Sequence, residues 1–209
     1  MIPKLHFISN ANTAAAHKEH IQKACSSGIE AVQLDLQHID KDERLPLAEE
    51  IHNITSHFQT RLFIKTDYKL AIQLKADGVF LDQKDASPTL VRKELLAWQS
   101  LGAAASTLAE CQDLVKKEVD YIALGPFKNS QASQKALGIN GFAAIANALQ
   151  TEIPLLGFGG ITTEDVNDIL ETRVAGILAT DAITADFSSI KKFHKLLDAG
   201  SNREMKHRF

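Results

Sequence analysis

Short apolar segments alternate with longer segments of helical periodicity along the whole chain, and eight such pairs can be counted. Apolar residues that recur at helical spacing predict amphipathic helices, and short apolar runs bounded by turn residues predict buried strands. The predicted strands cover residues 5–9, 31–36, 62–65, 78–81, 102–105, 121–124, 155–158 and 176–180. Helices are predicted between them, for example over residues 45–58, 89–99, 108–117, 141–149 and 163–170.

This alternation predicts a parallel sheet closed into a single (β/α)8 TIM barrel over residues 1–199, followed by a polar C-terminal tail at 200–209. An open doubly wound sheet is the alternative architecture, and it normally carries a glycine-rich loop after its first strand. Here residues 9–14 read SNANTA, without any glycine. A dinucleotide-binding fold is therefore disfavoured.

The bulk composition is typical of a globular protein. Hydrophobic residues make up 44% of the 209 residues and charged residues 23%, unlike a disordered chain. The formal net charge of -3 does not favour electrostatic binding of nucleic acid. No apolar run is long enough to span a bilayer, and the first residues lack a signal-peptide pattern. We therefore expect a cytoplasmic protein that binds neither nucleic acid nor a membrane.

The cysteines and histidines do not predict a metal site. Cys25 and Cys111 lie in no C-x-x-C motif, and Cys111 lies on an apolar helical face, which predicts a buried structural thiol. The histidines show no zinc-ligand spacing. We expect His17 and His20 to be solvated on the first helix, and His6 to be a strand residue with a hydrogen-bond partner.

Polar residues near the ends of the predicted strands carry the chemical information, because (β/α)8 proteins place their sites at the carboxyl ends of the strands. In residues 31–37 the polar and apolar side chains alternate, so Gln33, Asp35 and Gln37 share one face of the strand. We expect this face to point to the barrel axis and the mouth. The alternative is a half-exposed strand with one solvated face.

The next two strands end in charged residues. Lys65 ends the third strand and is expected either to meet an anion or to pair with Asp35 on the neighbouring strand. Asp67 is expected to cap the next helix. Asp85 follows the fourth strand, where a carboxylate could hold Mg²⁺ together with a diphosphate, or could simply cap a helix.

The last strands end in glycines and then in an acid. Gly125, Gly159 and Gly160 permit close approach of backbone N–H groups to an anion; the alternative is a tight turn that needs positive φ. The tandem glycines before a helix favour an anion site. The eighth strand ends at Thr180 and Asp181, which places a carboxylate where a phosphate is expected.

Four segments, in order along nearly the whole chain, resemble thiamine phosphate synthases and their relatives, the TenI-type thiazole tautomerases. They are residues 28–37 (GIEAVQLDLQ), 76–85 (ADGVFLDQKD), 119–126 (VDYIALGP) and 153–161 (IPLLGFGGI). The resemblance implies the (β/α)8 fold, Mg²⁺ and the coupling of hydroxymethylpyrimidine diphosphate with thiazole phosphate. It also implies that the partners are small molecules and that the protein forms a homodimer.

The resemblance implies roles for individual residues as well. Gln33 is expected to contact the pyrimidine, Asp85 the metal, and Gly159 with Gly160 the thiazole phosphate. Further substrate contacts are expected at Gln37, Gly125, Ser130 and Thr180.

The chain departs from the family pattern at several of these positions. The family has Arg and Lys where this chain has Asp35 and Gln37, and Asn-Asp where it has Lys65 and Thr66. Other expected side chains are replaced at Ala104, Ser106 and Asp181. Together these changes predict a mouth less positive by about four charge units, which disfavours a highly anionic pair of substrates.

Three hypotheses follow. The first is a thiamine phosphate synthase-like protein with a degenerate active site. The second is a TenI-like or diverged isomerase or lyase on a less anionic ligand, with Lys65 and either Asp35 or Asp181 as the proton-transferring pair. The third is a non-catalytic barrel that binds a thiamine-related ligand.

Overall fold

The computed structural model describes residues 1–128 and 135–206, with side chains through residue 199. Ser130 therefore lies outside the described residues. The strands are β1 (Leu5–Ser9), β2 (Ala31–Leu34), β3 (Arg61–Lys65), β4 (Gly78–Leu81), β5 (Ser100–Ala105), β6 (Tyr121–Leu124), β7 (Leu155–Phe158) and β8 (Gly176–Ala179). The helices are α1 (Ala14–Ser26), α2 (Lys41–His57), α3 (Tyr68–Leu74), α4 (Pro88–Glu94), α5 (Leu108–Lys116), α6 (Gly138–Leu149), α7 (Val166–Leu170), α8 (Asp181–Ala185) and α9 (Ser189–Lys206).

The eight strands are parallel, pair in sequence order and close where β1 pairs with β8. The predicted (β/α)8 barrel is thus confirmed. Strand β2 ends two residues before its predicted end, because the Asp35 carboxylate accepts a hydrogen bond from the Gln37 N–H at 3.1 Å and turns the chain. The Asp35 N–H still donates to the Ser9 carbonyl at 2.9 Å, so the barrel positions Asp35 at its rim.

Side-chain caps begin the described helices α1, α3 and α5. Asp67 caps α3 as predicted, because its carboxylate accepts from the Leu70 N–H at 3.0 Å. Helix α7 was expected to begin at Thr163, but it begins at Val166. The Asp165 carboxylate accepts from both the N–H and the hydroxyl of Thr162 at 2.9 Å, and this turn delays the helix.

The core has two layers. Outward-facing strand residues such as Val32 and Leu34 pack with the helices, whereas a second cluster fills the barrel interior and contains Ala31, Phe63, Phe80, Tyr121, Ala123, Leu156 and Leu178. The Tyr121 ring lies where a side chain at Gly102 would be. Because these side chains fill the barrel interior, it does not hold a ligand-sized space among the described residues. Among the described helices, none combines the length and apolar content that crossing a bilayer requires.

Candidate active site at the mouth of the barrel

A cavity of about 840 Å³ opens at the carboxyl ends of the strands, where (β/α)8 barrels hold their active sites. Residues that follow β2, β3 and β4 line one wall, and Ala104, Gly125 and Phe158 lie on the other side. The volume suits a small-molecule ligand. Of the predicted site residues, this cavity brings together Asp35, Gln37, Lys65, Asp85 and Gly125.

Lys65 lies between two carboxylates at this rim. Its Nζ is 2.7 Å from Asp35 Oδ2 and 3.0 Å from Asp82 Oδ2. Burial by itself lowers the pKa of Lys65, but the hydrogen bond and charge of Asp35, and then those of Asp82, raise this pKa above its ordinary value. Lys65 therefore stays an ammonium group at neutral pH, and the trio carries a net negative charge.

The predicted pairing of Lys65 with Asp35 is present, and it limits what Lys65 can do. Asp35 and Lys65 have side chains that are only 7% and 18% exposed, so their mutual attraction is weakly screened. A lysine must lose its proton to act as a base, and the raised pKa of Lys65 opposes this. The geometry thus disfavours Lys65 as the general base of an isomerase or lyase.

Gln33 lies inside the barrel, two residues before Asp35 on the same face of the chain. Its Nε2 donates to His6 Nδ1 at 3.1 Å and to the Tyr121 hydroxyl at 3.2 Å. His6 Nε2 in turn donates to the Pro3 carbonyl at 3.1 Å, which assigns its tautomer from the network. Gln33 Oε1 is buried and accepts no hydrogen bond within the described chain.

The expectation that His6 is a strand residue with a partner is met by this network. Burial lowers the pKa of His6 to about 3, more than the Pro3 hydrogen bond can offset. Burial also raises the pKa of Tyr121. Both groups are therefore neutral at physiological pH and act as a fixed hydrogen-bonding frame for Gln33.

Three cations of this cavity were not among the predicted site residues. They are Arg44 in the first turns of α2, Lys69 at the start of α3 and Lys84 in the loop after β4. With Lys65 they match the four acids that line the cavity, namely Asp35, Asp67, Asp82 and Asp85. The cavity is therefore balanced in formal charge.

The carboxylates near the cavity do not form a ready-made metal site. Within residues 1–128 and 135–199, no group of three or more His, Cys, Asp or Glu side chains is arranged to hold a metal ion. Asp85 Oδ2 accepts from the Asp82 N–H at 2.7 Å, and Asp82 pairs with Lys65. Asp85 is the carboxylate that was predicted to contact Mg²⁺, and an ion that arrived on a phosphate ligand would bring further oxygen ligands with it.

The glycines on the opposite side of the mouth have a structural explanation. Gly159 and Gly160 have φ of 97° and 66°, and a Cβ at Gly159 would lie 2.6 Å from Pro126 Cβ. The Gly159 carbonyl accepts from the Lys128 N–H at 2.9 Å. This side of the mouth therefore needs glycine for packing and positive φ, whether or not an anion also binds there.

Lys128, which lies beside Gly160, forms an ion pair with a carboxylate. Its Nζ is 2.6 Å from Asp165 Oδ2. Within the described chain, a Cβ at Gly160 would contact the Lys128 side chain at 3.2 Å. The cation beside Gly160 is thus already paired with a carboxylate.

Thr180 and Asp181 lie apart from Lys65. Thr180 is the N-cap residue of α8 and Asp181 its first residue; Asp181 is exposed, and neither residue lines the cavity that contains Lys65. The structure thus brings Asp35 to Lys65 but does not bring Asp181 to it.

Two other expectations concern buried groups. Cys111 is fully buried, and burial raises the pKa of its thiol to about 11, as expected for a structural cysteine. His17 was expected to be solvated, and this is wrong. It is fully buried, with Nδ1 2.7 Å from Ser9 Oγ, because α1 turns this face onto the end of β1.

Comparisons with known proteins agree with this architecture. The family model described as thiamine monophosphate synthase, TMP-TENI, matches residues 5–183. The chain is 32% identical over 190 residues to the thiamine-phosphate synthase of Flavobacterium johnsoniae, covering 88% of this chain and 90% of that protein. It is 29% identical over 206 residues to that of Flavobacterium psychrophilum, covering 94% and 100%.

A solved structure shows the same fold. The thiamine phosphate pyrophosphorylase from Pyrococcus furiosus superposes with a TM-score of 0.83 at 23% identity, covering 94% of this chain and 96% of that one. Because the family model matches most of the chain and the sequence relatives align over nearly their full length, the chain belongs to the thiamine monophosphate synthase (TMP-TENI) family.

Proposed function

We propose that this protein acts in thiamine biosynthesis as a thiamine phosphate synthase-like transferase, which joins hydroxymethylpyrimidine diphosphate to thiazole phosphate at the barrel mouth. The family membership supports the reaction class. The observation that carries the proposal is the unpartnered carbonyl oxygen of Gln33.

A buried carbonyl oxygen without a donor costs about 1–3 kcal/mol, which a ligand N–H group can recover. The amino group of an aminopyrimidine is such a donor. Gln33 is held by His6 and Tyr121, so its free oxygen has a fixed position. Gln33 is fully buried and does not itself line the cavity, but it lies two residues before Asp35 on the same face of the chain. A pyrimidine ring that reached Gln33 from the rim would donate a hydrogen bond to this oxygen.

In the reaction, the bond between the pyrimidine methylene carbon and the diphosphate oxygen breaks, and its electron pair leaves with the diphosphate. The thiazole nitrogen then donates its lone pair to the resulting cation. Asp35 and Asp82 carry negative charge on this side of the cavity, and we propose that they stabilise the pyrimidine cation. At an effective dielectric constant near 20, a unit charge about 4 Å away contributes about 4 kcal/mol before desolvation is counted.

The remaining substrate contacts stay proposals. Mg²⁺ would arrive on the diphosphate and neutralise its charge, with Asp85 as the carboxylate that the protein contributes. Gly125, Gly159 and Gly160 would face the thiazole phosphate, and Gln37 the rim. A homodimer and a cytoplasmic location likewise stay predictions, which sedimentation and cell fractionation can test.

The direct test supplies the protein with both substrates and Mg²⁺ and measures thiamine phosphate by chromatography. We expect product, and we expect Gln33→Ala to raise the KM for the pyrimidine substrate at least tenfold. Gln112→Ala serves as the matched control, since Gln112 is exposed on α5. If the wild-type protein binds both ligands by calorimetry but yields no thiamine phosphate, the synthase proposal fails and the protein is a binding barrel.

A further inference from the structure

The carboxylates of the mouth cavity already have hydrogen-bond donors. Asp35 accepts from Lys65 and from the Gln37 N–H, and Asp82 pairs with Lys65. Asp67 and Asp85 accept from the N–H groups of Leu70 and Asp82 respectively. An incoming cation would have to compete for these oxygens, so the acidic lining does not by itself offer a vacant site.

The cations Arg44, Lys69 and Lys84 are in the opposite condition. Within the described chain none of them forms an ion pair with a carboxylate, and Arg44 Nε donates a hydrogen bond to the Ile39 carbonyl at 2.9 Å. That bond holds the Nε atom of the guanidinium group and leaves its two terminal nitrogens free to donate. The unused hydrogen-bonding capacity of the cavity is therefore cationic.

Lys65, the last residue of β3, is the least available cation of this cavity, because it is already paired with Asp35 and Asp82. An anion could recruit Lys65 only by drawing it away from two carboxylates, and the net negative charge of the trio would repel that anion. The free cations instead come from α2, from α3 and from the loop after β4.

We propose that Arg44, Lys69 and Lys84 form the anion-binding side of the cavity and bind the diphosphate of the substrate, while Lys65 does not. This inference rests on the proposed function, since it assigns the diphosphate end of that substrate. A diphosphate presents several charged oxygens, which match the forked donors of arginine and the point charges of two lysines. In this chain, helix- and loop-borne cations replace the strand-borne cations that the family pattern leads one to expect.

The test measures binding of inorganic pyrophosphate by isothermal titration calorimetry, with and without Mg²⁺. We expect the triple variant Arg44→Ala, Lys69→Ala, Lys84→Ala to weaken binding at least thirtyfold. The matched control is Lys41→Ala, Lys93→Ala, Lys116→Ala, which removes the same charge from exposed positions outside the cavity. We expect this control to stay within about twofold of the wild type.

A further variant, Lys65→Met, separates the two cation sets, and we expect it to weaken pyrophosphate binding less than threefold. Circular dichroism verifies that each variant is folded, and single substitutions replace any triple variant that is not. The proposal is overturned if the wild type does not bind pyrophosphate under either condition, if the two triple variants behave alike, or if Lys65→Met loses binding as much as the cavity triple.

This result is separable from the synthase test. Pyrophosphate binding that depends on the three cations, without thiamine phosphate formation, keeps this inference and removes the synthase proposal. If the wild type forms thiamine phosphate and the cavity triple variant binds pyrophosphate normally, the synthase proposal stands and this inference fails.

Discussion

The two sides of the barrel mouth are stabilised by different interactions. The polar side, formed by Asp35, Lys65 and Asp82 after β2, β3 and β4, is held by an ion-pair network. The glycine side, formed by Gly125, Gly159 and Gly160 after β6 and β7, is held by close backbone packing and left-handed φ values. Substitution should therefore act through charge on the polar side and through sterics on the glycine side.

The largest expected effect lies on the glycine side. Gly159→Ala places a Cβ 2.6 Å from Pro126 Cβ and 2.9 Å from the Phe127 nitrogen, in addition to the cost of positive φ. We expect the free energy of unfolding to fall by on the order of 3 kcal/mol or more in urea denaturation. Gly160→Ala is the matched control. We expect it to lower the free energy of unfolding by about 1 kcal/mol, because within the described chain its Cβ would contact the flexible Lys128 side chain. Equal losses would contradict the packing explanation.

The next effect is the loss of stability at low pH that is expected from His6, which lies beneath the polar side. The pKa of His6 is lowered to about 3 in the folded protein and is about 6.5 in an unfolded chain. The unfolded chain therefore binds the extra proton first, so stability is greatest above about pH 6.5 and is lost as the pH falls toward 3. Each group of this kind contributes a slope of about 1.4 kcal/mol per pH unit in that window.

We expect His6→Gln to flatten the dependence of the unfolding free energy on pH between about 6 and 4 by roughly that slope. The side chain of Gln can still donate to Pro3 and accept from Gln33. The control is His57→Gln at the exposed end of α2. An unchanged slope in His6→Gln would show that His6 does not titrate as the buried frame requires.

The smallest effects compare one ion pair from each side. Asp35→Asn removes one of the two carboxylates that pair with Lys65, at a position where Asp35 is only 7% exposed. We expect the free energy of unfolding to fall by about 2 kcal/mol, which is below the range for a fully buried pair. Lys128→Ala removes a pair whose lysine is 48% exposed, and we expect at most about 1 kcal/mol. Urea denaturation of both variants measures the difference. If Lys128→Ala cost more than Asp35→Asn, charge would matter most on the glycine side and the distinction between the sides would fail.

The fold was predictable because its signal is local and repeated. Strands β1, β4, β6 and β7 have the bounds that the pattern predicted, since each is a short apolar run between turn residues. The predicted end of β2 was wrong by two residues, because the Gln37 backbone N–H donates a hydrogen bond to the Asp35 carboxylate and ends the strand. Such a bond depends on geometry that a hydrophobic pattern does not encode.

The site was predictable only in part. The parity of β2 predicted that Gln33 and Asp35 point inward, and the pairing of Asp35 with Lys65 was one of two expected outcomes. The burial of His17 and the contribution of Arg44 to the cavity were missed. Both residues lie on helices, and the angle at which a helix packs on the barrel decides which of its side chains reach the mouth.

The sequence by itself determined the barrel, its family and the polar residues that follow its strands, because strand periodicity and order along the chain are one-dimensional properties. The tertiary structure decided which charges neutralise each other. It placed Lys65 between Asp35 and Asp82, separated Asp181 from them and brought Arg44 to the cavity. The physical reason is that electrostatic energy depends on distance and burial, and both arise only when the barrel closes.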